Sequence, residues 1–286
     1  MDGEYLPLSE GRVSVNDRGF VFGDGVYEVV KVLDGRLIWA SEHLARLRVS
    51  LAMLQIGNVL ERRPLDLIVS ELVRRADLGC GIVYLQVTRG IAPRCFEFPE
   101  DAVPTVLAYT RPMEFAGPDT ILRGITAHPL EDFRWGRCDI KCLNLLAAIM
   151  AKEEARRAGA QEVLWLAPDG AVREGGSCNL FAFVDGALRT HPADHRVLGG
   201  ITRRKVLGLA SGLGLAVSEQ PFTLEEMLAS GEAFLSASTR DVLPVVAVGG
   251  RIVGTGRPGP VTLNLAHALR NAQAREAGLP APAPLL

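Results

Sequence analysis

Chemistry is easiest to locate in this chain through its lysines. Only four of the 31 basic residues are lysine (Lys31, Lys141, Lys152 and Lys205); arginine makes up the rest. A guanidinium stays charged, whereas an amine can lose its proton and attack a carbonyl. A retained lysine can therefore mark a need for a nucleophile. Lys152 stands with Glu153, Glu154, Arg156 and Arg157, and Lys205 follows Arg203 and Arg204, so both read as solvated surface. Lys31 alternates with apolar residues and fits either face of a strand. Lys141 lies in CDIKCLNLLAAIM, among apolar residues just ahead of a buried helix. Desolvation there disfavours the ammonium and favours the free amine. The plainer alternative is an edge lysine whose charged end reaches back to water.

A lysine that forms an imine with a phosphate-bearing cofactor also needs an anion cradle. LGGITRRKVLGLA offers one: Gly199 and Gly200 let the backbone approach closely, and Ile201 and Thr202 open a helix whose first N–H groups favour phosphate. FLSASTRDVLPV offers another, with Ser236, Ser238 and Thr239 after a short strand. Each alone also reads as an ordinary helix cap or a polar loop. In VREGGSCNLF, Glu174 precedes two glycines and Ser177 on a tight turn. A carboxylate so presented can keep a pyridine nitrogen protonated and make the ring an electron sink; it can equally be a surface turn residue.

These residues need elements to hold them. VYEVVKVLDGRLIWA reads as a hairpin turning at Asp34 and Gly35. Ser41 then caps a helix with Leu44, Leu47, Leu51 and Leu54 on one stripe, ending at Gly57. A second helix is expected over about 64–77, with strands at 82–88 and 105–110. RPMEFAGPDT is the best linker. Beyond it come a helix closing at Gly159, turns at Asp169-Gly170 and Asp185-Gly186, and helices from near Thr202, near Thr223 and over about 261–276. The expectation is an α+β chain of two domains: a smaller one at 1–112, a linker at 113–120 and a larger one at 121–286 that carries Lys141.

Much is excluded by absence. With 286 residues, 48% of them hydrophobic, and a net charge of −2, the chain suits packed cores and shows no basic footprint for nucleic acid or a membrane surface. The opening stretch has early acidic residues and no apolar core, so a secretory leader is not expected. No uncharged run is long enough to span a membrane. A soluble, cytoplasmic protein is expected. Five scattered cysteines without a C-x-x-C pair, and five histidines without ligand spacing, predict neither disulfides nor a metal site.

Taken in order, NDRGFVFGDGVYEVVKV, EHLARL, VYLQVTRGIAPR, EDFRWGRCDIKCLNLLAAIMAKEEA, REGGSCNLF, THPADHRVLGGITR and SASTRDVLPV resemble the fold-type IV pyridoxal-phosphate enzymes over nearly the whole chain. RWGRCDIKCLNLL and VTRGIAPR are similar, more finely, to the D-amino acid aminotransferases among them. The resemblance implies a two-domain fold with the active site between domains and pyridoxal 5′-phosphate bound as a Schiff base on Lys141. It makes Lys141 the group that moves the proton between substrate Cα and cofactor C4′. Glu174 would pair with the pyridine nitrogen. Arg46 would bind the phosphate with Ile201, Thr202 and Ser238, near Ser177, Gly200 and Ala237, and Leu198 would pack against the ring. Tyr27 and Arg94 would trap the substrate carboxylate, Arg94 reaching in from the second subunit of a homodimer.

The family pattern at that trap is Arg-x-His, and here it is Arg94-Cys95-Phe96. Phe96 cannot hydrogen-bond a carboxylate, although Arg94 still can. The expected reaction moves the amino group of a D-amino acid, D-alanine foremost, to a 2-oxo acid such as 2-oxoglutarate. Competing activities are transamination of branched-chain L-amino acids or (R)-amines, or aminodeoxychorismate lysis, on the same scaffold. A binding protein without catalysis is the alternative from another class.

Overall fold

The computed structural model describes residues 1–57 and 64–285, so Leu286, the last residue of the expected second domain, lies outside the described residues. No described helix is long and apolar enough to cross a membrane. The chain forms two compact units. The first is Met1–Glu114 with Ile140–Leu145, and the second is Phe115–Asp139 with Leu146–Leu286.

In the first unit α1 (Arg18–Phe22) leads into β1 (Gly25–Leu33) and β2 (Arg36–Leu37). Asp34 and Gly35 turn that hairpin at φ 47° and 71°, the left-handed pair such a two-residue turn requires. Then come α2 (Ala40–Met53), α3 (Leu65–Arg75), β3 (Cys80–Thr88) and β4 (Val106–Pro112). The four strands pair antiparallel in the order β2-β1-β3-β4. Period-2 alternation puts Val26 and Val32 of β1 on the core side, packed with Leu44, Leu47 and Leu51 of α2 and Val69 and Val73 of α3. Burying each such side chain contributes roughly 1.5–3 kcal/mol.

Helix α2 differs from expectation at both ends. Trp39, at φ 53°, holds the cap position without a capping side chain, and Ser41 lies inside the helix, bonded to Glu42. The helix stops before Gly57 because Gln55 turns left-handed at φ 53°. Arg89 then takes the end carbonyls of Leu54 and Gln55 at 2.7 and 3.2 Å.

The second unit comprises α4 (Pro118–Arg123), β5 (Ile125–Glu131), α5 (Leu146–Arg157), β6 (Glu162–Leu166), β7 (Val172–Gly175), β8 (Asn179–Val184) and β9 (Ala187–Thr190). After these come α6 (Ile201–Gly212), β10 (Ala216–Ser218), α7 (Leu224–Ala229), β11 (Ala233–Ala237), β12 (Asp241–Val248), β13 (Arg251–Ile252) and α8 (Pro260–Ala277). The strands run β8-β11-β12-β5-β6-β7, and β7 pairs back onto β8, so six strands close into a barrel-like ring. Phe181 and Phe234, both fully buried, stack in its wall with centroids 4.9 Å apart. Thr223 caps α7 through a capping box with Glu226. The fold is α+β, as the sequence predicts.

Two expectations change. Within the expected linker 113–120, Pro118 opens α4 behind Gly117; proline at a first helical position sacrifices no hydrogen bond. Ile140–Leu145 belongs to the first unit, so the backbone of Lys141 is not part of the C-terminal domain. The reason is packing. Ile140 and Cys142 are buried in the core with Val26 and Leu47, and the Tyr27 N–H donates to the Lys141 carbonyl at 3.1 Å.

Gly90 stands at the base of the loop joining β3 to β4, at φ 101°, where an added Cβ would come 1.9 Å from the Val103 carbonyl oxygen. Only glycine tolerates both the angle and the approach. Gly90→Ala is expected to cost roughly 2–3 kcal/mol in unfolding free energy. Chemical denaturation checks it, and a loss below about 0.5 kcal/mol, the scatter of ordinary surface changes, would contradict the strain.

Candidate active site

The first unit gathers Lys141, Tyr27 and Arg46. Lys141 lies between two buried neighbours, Ile140 and Cys142, so its own side chain points away from the core. A bridge between Val26 and Cys142 and the Lys141 N–H on Ser50 Oγ at 3.3 Å fix the segment against β1 and α2. The Lys141 Nζ sits 4.0 Å from the centroid of the Tyr27 ring, a cation–π distance. Tyr27 stacks on Tyr84 at 5.7 Å, and Tyr84 on Tyr109 at 5.0 Å. Tyr84 and Tyr109 are direct cross-strand partners, and Tyr27, paired with Gln86, meets Tyr84 diagonally. The ladder holds the ring under the amine.

Arg46 is aimed by residues that the sequence alone did not single out. Glu28, on the core side of β1 and fully buried, accepts from Arg46 Nε and Nη2 at 2.7 and 2.8 Å and from His43 Nδ1 at 2.7 Å. His43 and Arg46, one turn apart on α2, converge on a single carboxylate. Burial raises the Glu28 carboxyl, but Arg46 and His43 outweigh it and bring it down to about 2. A carboxylate only accepts, so His43 Nδ1 carries the hydrogen. Burial lowers the His43 imidazole despite Glu28. The available signal was a lone glutamate on the apolar face of a strand.

Arg94 and Phe96 stand apart from this group in the loop between β3 and β4. Phe96 is 78% exposed. The Arg94 guanidinium lies 5.3 Å from the Phe22 ring and 5.7 Å from that of Phe96.

The second unit brings together Glu174, Leu198, Gly200, Ile201 and Thr202. Glu174, at the end of β7, is buried. It accepts from Arg134 Nη1 at 2.6 Å, Asn179 Nδ2 at 3.0 Å and the Leu198 N–H at 3.3 Å. Asn179 also donates to the Leu198 carbonyl at 2.8 Å, tying the glutamate turn to the approach to α6. A Cβ on Gly200 would come 2.0 Å from Asn179 Oδ1, so that contact demands glycine. Gly200 caps α6 without a side-chain bond. Among the described residues, Thr202 Oγ1 in the first turn of α6 and Ser236 Oγ are buried without a hydrogen-bond partner. Ser236 pairs with Asn179 across β8 and β11. Ala237 ends β11, and Ser238 follows in the turn to β12.

Ser177 is placed differently. It is exposed and accepts from Lys152 Nζ at 2.5 Å. Lys152, expected on a solvated face, is thereby engaged, with buried Glu162 a further 3.4 Å contact.

Arg134 also escaped notice in the sequence as an individual residue. Its Nε and Nη2 donate to buried Asp132 at 2.9 and 2.8 Å, and only Nη1 serves Glu174. Burial opposes the Arg134 cation, but Asp132 and Glu174 hold it charged. Because that charge is shared, burial wins at Glu174 and pushes its carboxyl up to about 7, against Arg134 and the Leu198 N–H. The resulting group favours a proton or a new cationic N–H donor.

Residues 25–248 match the family model of class IV aminotransferases. This chain belongs to the class IV aminotransferases. A D-alanine aminotransferase of Bacillus licheniformis is 40% identical over 270 residues, covering 94% of this chain and 95% of that protein. The branched-chain amino acid aminotransferase of Escherichia coli is 27% identical with a TM-score of 0.84, covering 92% of this chain and 90% of that one. The branched-chain amino acid aminotransferase of T.th., solved with pyridoxamine 5′-phosphate, is 26% identical with a TM-score of 0.85 over 96% of this chain and 93% of that one.

Buried Glu174 and buried Glu28 have opposite pH signatures. Glu174 is raised from 4.5 to about 7, so its contribution is fully present below about pH 4.5 and is lost as pH rises through 7. Glu28 is lowered to about 2, so its contribution is present above about pH 4.5 and is lost as pH falls toward 2. Without added ligand, Glu174→Gln is expected to remove a decline on the order of 3 kcal/mol between about pH 4.5 and 7. Denaturation midpoints across that range decide it. A mutant as pH-dependent as the parent would refute the raised carboxyl.

Proposed function

We propose that this chain is a pyridoxal-phosphate-dependent aminotransferase that moves the amino group of a D-amino acid, D-alanine foremost, to a 2-oxo acid such as 2-oxoglutarate. What carries the reading is the 40% identity over 94% of the chain to a protein named D-alanine aminotransferase. The residues in place suit the cofactor. The unpartnered hydroxyls of Thr202 and Ser236 and the uncapped start of α6 behind Gly200 suit a phosphate. The raised carboxyl of Glu174 suits a ring N–H.

Bound pyridoxal phosphate supplies an aldehyde that takes up the amino group and a ring that takes up the electron pair left at the substrate's α-carbon. Lys141 would hold that aldehyde and, once displaced by the substrate amine, take the α-proton on Nζ. Tyr27 keeps Nζ over its ring, and Glu28 holds Arg46, which would bind the phosphate, as would Ile201, Thr202 and Ser238. Gly200 and Ala237 would allow the backbone to approach the phosphate, Ser177, bound by Lys152, would lie near it, and Leu198 would pack against the cofactor ring. Glu174 would keep the ring nitrogen protonated, exchanging a shared arginine for a partner of its own.

Arg94 would pair with the substrate carboxylate in the second subunit of a homodimer. Phe20, Ile91, Phe96 and Phe98, between 53% and 78% exposed in the chain alone, offer the apolar surface that a second copy would cover. Free amino acids and 2-oxo acids fit a cytoplasmic enzyme. Phe96, where a hydrogen-bond donor would serve a carboxylate, favours the second reading, transamination of branched-chain L-amino acids or (R)-amines.

The test is a half-reaction on the holoprotein, followed at the cofactor's absorption band. D-alanine is expected to react at least about tenfold faster than L-alanine, a difference of about 1.4 kcal/mol at the transition state. Reaction with L-leucine but not D-alanine would replace the first reading by the second. Borohydride should fix the cofactor to the peptide containing Lys141, and Lys141→Ala should lower turnover by on the order of 10³-fold. A label on any other side chain would end the assignment of Lys141.

A further inference from the structure

Arg94 is exposed, and its loop has no regular secondary structure, yet recognising a carboxylate by a guanidinium fork demands a defined direction. The order comes from beneath. At the base of the loop the Arg18 N–H donates to the Gly90 carbonyl at 2.9 Å, the Ala92 N–H to the Asn16 carbonyl at 3.2 Å, and the Arg89 N–H to the Asp24 carbonyl at 3.1 Å. Above this zipper, two buried arginines share one carboxylate. Arg18 Nε and Arg89 Nε both donate to Asp24 Oδ2 at 2.8 Å, and Arg89 Nη2 reaches Asp24 Oδ1 at 3.1 Å.

The remaining donors of each arginine go to backbone or rings. Arg89 binds the end of α2 and lies 3.6 Å from the Phe98 ring centroid. Arg18 Nη1 donates to the Cys95 carbonyl at 2.7 Å, and Nη2 approaches the Phe96 carbonyl at 3.5 Å. Cys95 and Phe96 are the two residues that follow Arg94. The Arg18 guanidinium also lies 4.9 Å from the Phe22 ring, the ring that Arg94 approaches from 5.3 Å. Burial raises the Asp24 carboxyl, but Arg89 and Arg18 outweigh it, so the anion that anchors the cluster stays charged.

We propose that Arg18, locked in place by Asp24, is a positioning residue for substrate recognition: it fixes the backbone at Cys95 and Phe96 and so sets the direction in which Arg94 offers its guanidinium. This rests on the reading of Arg94 as the residue that binds the substrate carboxylate.

A double-mutant cycle on the holoenzyme with D-alanine as donor tests it through Arg94→Ala, Arg18→Gln and the pair together. Arg94→Ala is expected to raise KM by about tenfold or more, and Arg18→Gln by about three- to tenfold, with kcat falling less than about twofold. The double variant should be no worse than Arg94→Ala alone, because two residues that act through one interaction do not add. An unchanged KM in Arg94→Ala defeats the underlying reading and the proposal with it. A raised KM in Arg94→Ala defeats the proposal alone if Arg18→Gln leaves KM unchanged, if the two effects multiply, or if Arg18→Gln lowers kcat and thermal stability without a selective rise in KM. Should Arg18→Gln fail to fold, Arg18→Lys keeps the charge beside Asp24 without the fork and takes its place in the cycle, with the same results supporting or defeating the proposal.

Discussion

A carboxylate withdrawn from water must be answered by cations and N–H donors, or else hold its proton. Each unit holds one such carboxylate, and the two receive different answers. Glu28 accepts from a guanidinium fork and an imidazole, so it stays ionised and serves as a bracket for Arg46. Glu174 shares Arg134 with Asp132 and is left short of positive charge. In the first case the chain satisfies its own electrostatics and gains alignment. In the second it leaves a deficit, and a deficit is what makes a binding group selective for a cationic N–H partner.

The same logic runs through the hydroxyls and the glycines. Thr202 and Ser236 carry buried oxygens without partners among the described residues, a cost of about 1–3 kcal/mol each if nothing ever met them. Gly200 and Gly90 each lie where a Cβ would strike a neighbouring oxygen. Local rules of stability are broken where the family's chemistry is expected, and obeyed in the apolar layers of both units.

Much of this was legible in the chain because the informative residues are ones whose type is odd for their setting. A lysine in an arginine-rich protein, a glutamate before paired glycines, and a Gly-Gly-Ile-Thr run opening a helix each point to chemistry without reference to packing. Hairpin and helix signals such as Asp34-Gly35 and the helix start near Thr223 were equally local. What escaped depends on contacts distant in sequence. Glu28 meets residues 15 and 18 positions away, and Arg134 meets Glu174 across 40. Assignment of Ile140–Leu145 to the first unit follows from the burial of Ile140 and Cys142, a tertiary preference that no periodicity carries. Trp39 and Gln55 displaced the ends of α2 through left-handed backbone that propensity does not favour for either residue.

The ring of strands in the second unit closes through one residue pair, Glu174 opposite Asn179, whereas β8 and β11 share four. The weakest stitch of the barrel thus falls on the residue with unmet electrostatic demand. Ligation at that carboxyl would therefore act at the seam itself, where the closure of the ring and the demand for a partner meet at one residue.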